Sequence, residues 1–205
     1  DNSSPRTVAP MNILVTGGAG YIGSGLILKI REEFTDSAIT SLDNLIRGNY
    51  DLIRHLHREG RCRLLVGDVR KKSDLEKAIG RDTSAIVHLA AVVGIPMCKE
   101  NPQKAIATNV YGTHNILEAA RRHDVEKVIF ASSAAVYGNP VRTPVSEDHP
   151  QRPVNLYGVT KLSGEMLLYQ QYVNHGLDTV SLRIGNPYGI GAYTHSDTVI
   201  PIFVN

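Results

Sequence analysis

The feature that most constrains the fold is a glycine-rich segment between a short apolar run and an amphipathic stretch. Residues 12–16 (NILVT) have the composition of a buried strand, and Gly18-Ala19-Gly20-Tyr21-Ile22-Gly23 follows them almost at once. Glycines at this spacing let the backbone approach a pyrophosphate, and the following helix contributes N–H groups and the positive end of its dipole. The pattern predicts the first strand and helix of a dinucleotide-binding domain.

The composition excludes several other classes of protein. Hydrophobic residues make up 42% of the 205 residues and charged residues 20%, as in a folded domain that buries its own core. The net charge of +2 does not indicate a nucleic-acid or anionic membrane partner, and no apolar run approaches the ~20 residues that span a bilayer. The two cysteines, Cys62 and Cys98, match no disulfide framework or metal site. We therefore predict a cytoplasmic protein without metal, membrane or nucleic-acid partner.

The remainder of the chain alternates short apolar runs with longer amphipathic stretches. Five further strands are predicted at residues 38–42, 63–66, 85–89, 127–131 and 179–183. Strands that alternate with helices form βαβ units. The fold class expected is α/β, with a doubly wound parallel sheet and helices on both faces.

The helices are predicted from apolar spacing and from end signals. The first has Ile22, Leu26, Ile30 and Phe34 at spacings of four. Ser73 to Glu76 fits a capping box that opens a short helix. The two longest are predicted from Pro102, behind an Asn101 cap, to about residue 123, and over residues 157–175 with Gly176 as the C-terminal cap. The last of these has apolar residues at spacings of three and four: Val159, Leu162, Met166, Tyr169 and Val173.

An acidic residue at the end of the second predicted strand points to the cofactor. Asp43 lies 20 residues after Gly23. A carboxylate there can hold a ribose 2′-hydroxyl and would repel a 2′-phosphate, which favours NAD over NADP. Arg47 is close enough in sequence to weaken that preference.

A second group of residues indicates proton transfer. Tyr157 and Lys161 are four apart on a predicted helix, so both side chains lie on one face. A phenol has a pKa of about 10, and a nearby ammonium would lower the pKa of Tyr157 and make it a proton acceptor for an alcohol. Ser132 and Ser133 follow the fifth predicted strand, at the edge of the sheet where ligands bind in open α/β folds. A serine hydroxyl there could bond the reacting oxygen.

Taken together, these motifs resemble the extended short-chain dehydrogenase/reductase family in its NAD-dependent nucleotide-sugar epimerase/dehydratase branch. The matching segments cover nearly all of the chain from residue 12 onward. They are TGGAGYIGS (16–24), LDNL (42–45), GDV (67–69), HLAA (88–91), NVYGT (109–113), SSAAVYG (132–138), YGVTK (157–161) and LRIGNPYG (182–189).

The resemblance implies a Rossmann-type cofactor site with named residues. Those at the pyrophosphate are Gly17, Gly20, Tyr21, Ile22 and Gly23, and those at the adenosine ribose are Asp43, Asn44 and Leu45. Asp68 and Val69 would flank the adenine. Leu89, Ala90 and Ala91 would pass beneath the cofactor, supported by Asn109.

The resemblance also implies the catalytic and substrate residues. Tyr157 would be the acid/base, and Lys161 would hold the nicotinamide ribose and tune Tyr157. Ser133 would contact the substrate hydroxyl, and Asn186 would reach the diphosphate of the nucleotide sugar. Dehydratases of the family carry an Asp-Glu pair where this chain has Ala134 and Ala135. We therefore predict epimerisation of a nucleotide-diphosphate sugar, of the UDP-glucose/UDP-galactose 4-epimerase type, through a transient 4-keto sugar.

Several alternatives stay open. The chain could be a dehydratase with displaced acids, a decarboxylase or a reductase of the same branch, or a dinucleotide-binding regulator without turnover. The base and the sugar of the substrate are not fixed by these residues. A homodimer is expected by analogy, through helices 101–123 and 157–175. Cys98 is expected to be a free buried thiol.

The expected domain layout follows the same resemblance. Residues 1–10 are predicted to be a flexible leader, residues 11–190 the NAD-binding domain with the catalytic residues, and residues 191–205 the start of a truncated substrate-binding region. The apolar segment 199–205 would need burial, so we expect the C-terminal substrate domain to be largely missing from this chain.

Overall fold

The structure, a computed structural model, describes residues 10–51 and 53–188. Within these residues one parallel sheet has the strand order β3-β2-β1-β4-β5-β6. The strands are β1 (Asn12–Thr16), β2 (Ala38–Asp43), β3 (Arg63–Val66), β4 (Ala85–His88), β5 (Lys127–Ser133) and β6 (Asp178–Ile184). This order is that of the doubly wound dinucleotide-binding fold, which confirms the predicted fold class. Residues 1–9 and 191–205 lie outside the described residues, so the predicted leader and substrate-binding region stay predictions.

The strand predictions need one correction that affects the site. Ser132 and Ser133 do not follow the fifth strand but are its last two residues, in register with Arg183 and Ile184 of β6. The sixth strand extends as far as Ile184, and its ladder continues the pairing of β5 past the apolar run. The two serines are therefore held by the sheet rather than by a loop.

The helices differ from the prediction in number and in continuity. They are α1 (Tyr21–Glu33), α2 (Arg54–Arg58), α3 (Lys72–Ala78), α4 (Ile95–Glu100), α5 (Pro102–Ile106), α6 (Gly112–Arg122) and α7 (Leu156–His175). The sequence reasoning missed α2 and α4, which are too short to show a period. The helix predicted from Pro102 to about residue 123 is α5 and α6, joined by the π-helical segment Ala107–Tyr111.

Two helix ends match the prediction and two caps do not. Helix α7 ends at Gly176 in the left-handed conformation. Helix α5 begins at Pro102 as predicted, but the Asn101 side chain makes no capping hydrogen bond. The predicted capping box at Ser73 is wrong, because α3 already begins at Lys72 and has no side-chain cap.

Two hydrophobic clusters cover the two faces of the sheet. Leu14 belongs to a cluster with Phe130 and Leu168, whereas its neighbours Ile13 and Val15 belong to another. Side chains alternate between faces along a strand, so this division shows that both faces of β1 are packed. Apolar runs without polar alternation are expected for such buried parallel strands.

The apolar line that predicts α1 is only partly buried, with Leu26 and Ile30 packed against the core, and the line that predicts α7 does not form its buried face. The buried face of α1 consists of Gly23, Ser24, Ile27 and Arg31, while Ile22 is exposed. The buried face of α7 holds Lys161, Glu165 and Leu168. Its apolar residues Val159, Met166, Tyr169 and Val173 are exposed. The apolar line of α7 is therefore a surface stripe.

Candidate active site

A cavity of about 500 Å³ opens at the carboxyl ends of the strands. It lies where the strand order reverses, since β1 pairs with β2 on one side and with β4 on the other, and ligands bind at this point in open α/β sheets. The structure brings most of the predicted site residues together there. The predicted residues that line the cavity are Gly17, Gly20, Tyr21, Ile22, Gly23, Asp43, Asn44, Val69, Leu89, Ala90, Ala91, Ser133, Tyr157, Lys161 and Asn186.

Three predicted cofactor residues lie outside that lining. Leu45 is at the surface with a positive φ of 58°, and its N–H donates to Asp43 Oδ1 at 2.8 Å. The single N–H of Arg70 Nε is shared between the two carboxylate oxygens of Asp68, each at 3.0 Å, and this pairing holds the pKa of Asp68 below its usual range. Asn109 is buried and supports the cavity from behind.

The glycine turn between β1 and α1 leaves no space for side chains. Gly17 has a φ of 73°, and a Cβ on it would lie 2.8 Å from the backbone N of Ala90. A Cβ on Gly23 would lie 2.3 Å from the carbonyl oxygen of Gly17. Such distances are below van der Waals contact, so the turn presents backbone to the cavity. This is the arrangement that allows a pyrophosphate to approach a helix N-terminus, and it fits a dinucleotide.

Asp43 is fixed at the end of β2 by backbone groups. Its carboxylate accepts N–H bonds from Ala19 at 3.1 Å and from Leu45 at 2.8 Å. Burial raises the pKa of this carboxyl, and the backbone donors oppose that rise. Arg47 also lines the cavity, where its Nη1 donates to the carbonyl oxygen of Val93 at 3.5 Å.

Ser133 and Tyr157 form the reactive end of the cavity. Burial raises the pKa of Tyr157, and the neighbouring Ser133 hydroxyl opposes that rise. Ser133 Oγ accepts the N–H of Ala135 at 3.1 Å, which fixes the hydroxyl at the end of β5.

The expectation that Lys161 lowers the pKa of Tyr157 is not met in this structure. Lys161 Nζ donates to the carbonyl oxygen of Ala131 at 2.8 Å and lies 5.8 Å from the centroid of the Tyr157 ring. Lys161 is 3% exposed, and burial lowers its pKa to about 8. Burial thus favours the neutral form of both groups.

The sequence reasoning missed an ion-pair network beside these residues. The guanidinium of Arg183 on β6 donates through two nitrogens to the carboxylate of the buried Glu165 on α7, with N···O distances of 2.8 to 3.2 Å. Glu165 also accepts the hydroxyl of Ser132, and Arg183 Nη1 donates to Tyr137 Oη at 2.9 Å. One signal was available, because Glu165 follows Lys161 by four residues and so shares its helix face.

Asn109 and His88 stabilise the floor of the cavity. Both backbone groups of Val92 are bonded by Asn109, whose Oδ1 accepts the N–H at 2.7 Å and whose Nδ2 donates to the carbonyl at 3.0 Å. His88 is buried between the hydroxyls of Thr16, at 2.7 Å from Nδ1, and Thr113, at 3.0 Å from Nε2. Burial lowers the pKa of His88 to about 3, so the ring is neutral.

The remaining predictions concern Cys98, metal binding and membrane spans. Cys98 is a free and buried thiol, as expected, and burial raises its pKa. No cluster of three metal-binding side chains occurs among the described residues. In the same part of the chain, no helix has the length and apolarity needed to cross a membrane.

A family model and several curated proteins match this chain. Residues 13–205 match the model of the family described as NAD dependent epimerase/dehydratase. The chain is 40% identical over 178 residues to a putative UDP-glucose 4-epimerase of Methanocaldococcus jannaschii, a match that covers 86% of this chain and 56% of that protein. The chain spans about half the length of the curated relatives it matches, between 54% and 59% for three of them.

Solved structures match over a similar extent. The UDP-glucose 4-epimerase from Brucella ovis in complex with NAD has a TM-score of 0.78 and 35% identity, with 86% of this chain and 52% of that chain covered. A double mutant of a dTDP-glucose 4,6-dehydratase from Streptomyces venezuelae, with NAD bound, has a TM-score of 0.85 and 30% identity. That match covers 95% of this chain and 61% of the other.

Proposed function

The chain belongs to the NAD-dependent epimerase/dehydratase family, and from this premise we propose that it is the cofactor-binding and catalytic part of a nucleotide-sugar 4-epimerase. The family confirms the resemblance drawn from the motifs and the prediction of NAD as its cofactor. The observation that carries the proposal is that Ser133 and Tyr157 line one cavity with the buried Lys161, whose Nζ lies 5.8 Å from the centroid of the Tyr157 ring. These residues line the same cavity as the glycine turn.

The residues present fit NAD. The turn from Gly17 to Gly23 would hold the pyrophosphate, and Asp43 would hold the adenosine ribose. Leu89 to Ala91 would lie beneath the cofactor, while Asp68 and Leu45 would act from outside the cavity by fixing the local backbone. When bound, NAD supplies a hydride acceptor and donor.

Tyr157 would take the proton of the sugar 4-hydroxyl and return it after the 4-keto sugar has turned in the site. Ser133 would bond the same sugar oxygen, since it lines the cavity together with Tyr157. Lys161 would hold the nicotinamide ribose and, by turning from Ala131 towards Tyr157, would favour the phenolate. Asn186, which also lines the cavity, would bond the diphosphate of a UDP-sugar.

Ala134 and Ala135 favour epimerisation over dehydration. They form the short helical turn that follows β5, directly after Ser133. Methyl groups cannot transfer the protons that elimination of water requires. A nucleotide-sugar dehydratase is nevertheless the second candidate, because the Streptomyces venezuelae dehydratase superposes on 95% of this chain.

We also propose a homodimer. The exposed stripe on α7 contains Val159, Met166, Tyr169 and Val173, and Tyr111 of the neighbouring π-helical segment is exposed as well. A contiguous apolar stripe of this kind marks an interaction surface, and a two-fold axis would place it against the same stripe of a second copy.

The test is conversion of UDP-galactose to UDP-glucose without added NADH, followed by chromatography. Conversion should vanish in Tyr157→Phe, which removes only the phenolic hydroxyl. Tyr172→Phe is the matched control, since Tyr172 lies on the same helix, is 57% exposed and is outside the cavity lining. A 4-keto-6-deoxy product would support the dehydratase instead. If NAD can be extracted but UDP-galactose is not converted, the proposed epimerisation of UDP-galactose is wrong and the assignment of NAD as the cofactor stands.

A further inference from the structure

One cation on the wall of the cavity is not used by the proposed reaction. Lys104 of α5 lines the cavity together with Asn101, three residues before it, and Thr108, four residues after it. Asn101 precedes α5 and Thr108 belongs to the π-helical segment after it, so this wall of the cavity runs along the length of α5. Thr108 is buried and Pro102 is exposed, so Lys104, which is half-buried, lies between the floor and the rim of this wall.

Among the described residues, no charged group of the lining is paired with Lys104. Among the described residues that line the cavity, Arg47, Lys104 and Lys161 are cationic and Asp43 is the one acid. The Asp43 carboxylate already accepts two backbone N–H groups. Arg47 and Lys161 each donate to a backbone carbonyl. In the part of the chain that the structure describes, the ammonium of Lys104 has neither an ion pair nor a hydrogen bond.

We propose that Lys104 binds the diphosphate of a nucleotide ligand in this cavity. The assignment rests on the proposed function, because both proposed ligands, NAD and a UDP-sugar, carry a diphosphate. An ammonium on a flexible stem binds phosphate as a point charge, and a cavity whose charged lining residues are mostly cations attracts anions. Neither a base nor a sugar hydroxyl offers the negative charge that this unpaired cation would select.

The test uses Lys104→Gln, which removes the charge and keeps a polar side chain. The matched control is Lys99→Gln, because Lys99 belongs to the adjacent helix α4, is exposed and lies outside the cavity lining. Calorimetric titrations of the full chain would use NAD⁺, ADP-ribose and UDP as diphosphates, and adenosine and uridine as uncharged ligands. A bond to a charged group corresponds to about a tenfold loss of affinity or more on removal. We expect that loss for a diphosphate in Lys104→Gln alone, with recovery in Lys104→Arg.

The pattern of losses separates the possible sources. Loss for NAD⁺ and ADP-ribose assigns Lys104 to the cofactor, and loss for UDP assigns it to the substrate. Unchanged affinities in Lys104→Gln overturn the assignment while the proposed function stands. An equal loss for adenosine or uridine also overturns it, because the cavity would then have changed shape. A wild-type chain that binds neither NAD⁺ nor UDP contradicts the proposed function itself.

Discussion

At the scale of single residues, burial controls the protonation of the reactive end. Burial raises the pKa of Tyr157 and lowers the pKa of Lys161, so it favours the neutral form of both side chains. The chain without ligands therefore does not hold a phenolate at neutral pH. We expect the reactive protonation state to require Lys161 to exchange its bond to Ala131 for one closer to the phenol.

The buried Lys161 predicts a stability that rises with pH. Its pKa is about 8 in the folded chain against a model-compound value of 10.5, so between these values the unfolded chain binds more protons. Stability then rises with pH across this window, by up to about 3 kcal/mol. Urea unfolding of the wild type and of Lys161→Met at pH 8 and pH 10 should show a steeper rise for the wild type. Equal slopes would contradict the burial of a titrating ammonium.

The glycine turn gives a second residue-scale prediction with an internal control. Gly23→Ala would place a Cβ 2.3 Å from the Gly17 carbonyl oxygen, whereas Gly25→Ala meets nothing within 4 Å. Gly25→Ala should stabilise α1 by about 0.5 to 1 kcal/mol and leave NAD binding unchanged. Gly23→Ala should lower the free energy of unfolding and weaken NAD binding. Thermal melts and calorimetric titration with NAD⁺ would measure both; equal behaviour of the two variants would refute the close approach.

At the scale of elements, the Glu165–Arg183 pair joins α7 to the ends of β5 and β6. The Glu165 side chain is 6% exposed and that of Arg183 20%, and breaking a buried pair leaves an uncompensated charge. Glu165→Gln should therefore cost about 3 kcal/mol of unfolding free energy. Glu33→Gln removes the exposed pair with Lys29 and should cost less than about 1 kcal/mol. Urea unfolding would measure both losses of unfolding free energy. Similar losses would contradict a larger contribution from the buried pair.

Elements with a strong local pattern could be predicted from the sequence, and those set by tertiary contacts could not. The strands and the glycine turn carry their signal in consecutive residues. The π-helical segment does not, because it arises where Asn109 must reach both Val92 and Thr160. The network of Ser132, Glu165 and Arg183 depends on the pairing of β5 with β6, which no spacing reveals. The same holds for Lys161, whose bond to Ala131 overrides the pairing with Tyr157 that their spacing predicts.

At the scale of the whole molecule, the stripe on α7 predicts self-association. Sedimentation velocity of the wild type should show a dimer, and Met166→Asp should weaken it at least tenfold, because a carboxylate would be buried at the interface. Val141→Asp is the control, since Val141 is 72% exposed and belongs to the connection between β5 and α7, outside the stripe. A monomeric wild type, or an unchanged dimer in Met166→Asp, would contradict the proposed interface.

The hydrogen bonds around the buried His88 each have one fixed direction. Thr113 donates its only hydroxyl proton to the carbonyl of Asn109 at 2.6 Å, so it can only accept from His88 Nε2. Nδ1 is then the acceptor for Thr16, whose oxygen in turn accepts the N–H of Ala90 at 3.3 Å. Each hydrogen bond in this chain has a fixed donor and a fixed acceptor, and no single group can exchange its role without breaking the bond to its neighbour. The floor of the cavity is therefore supported by hydrogen bonds whose protons keep fixed positions, while proton transfer is proposed for the side chains above it.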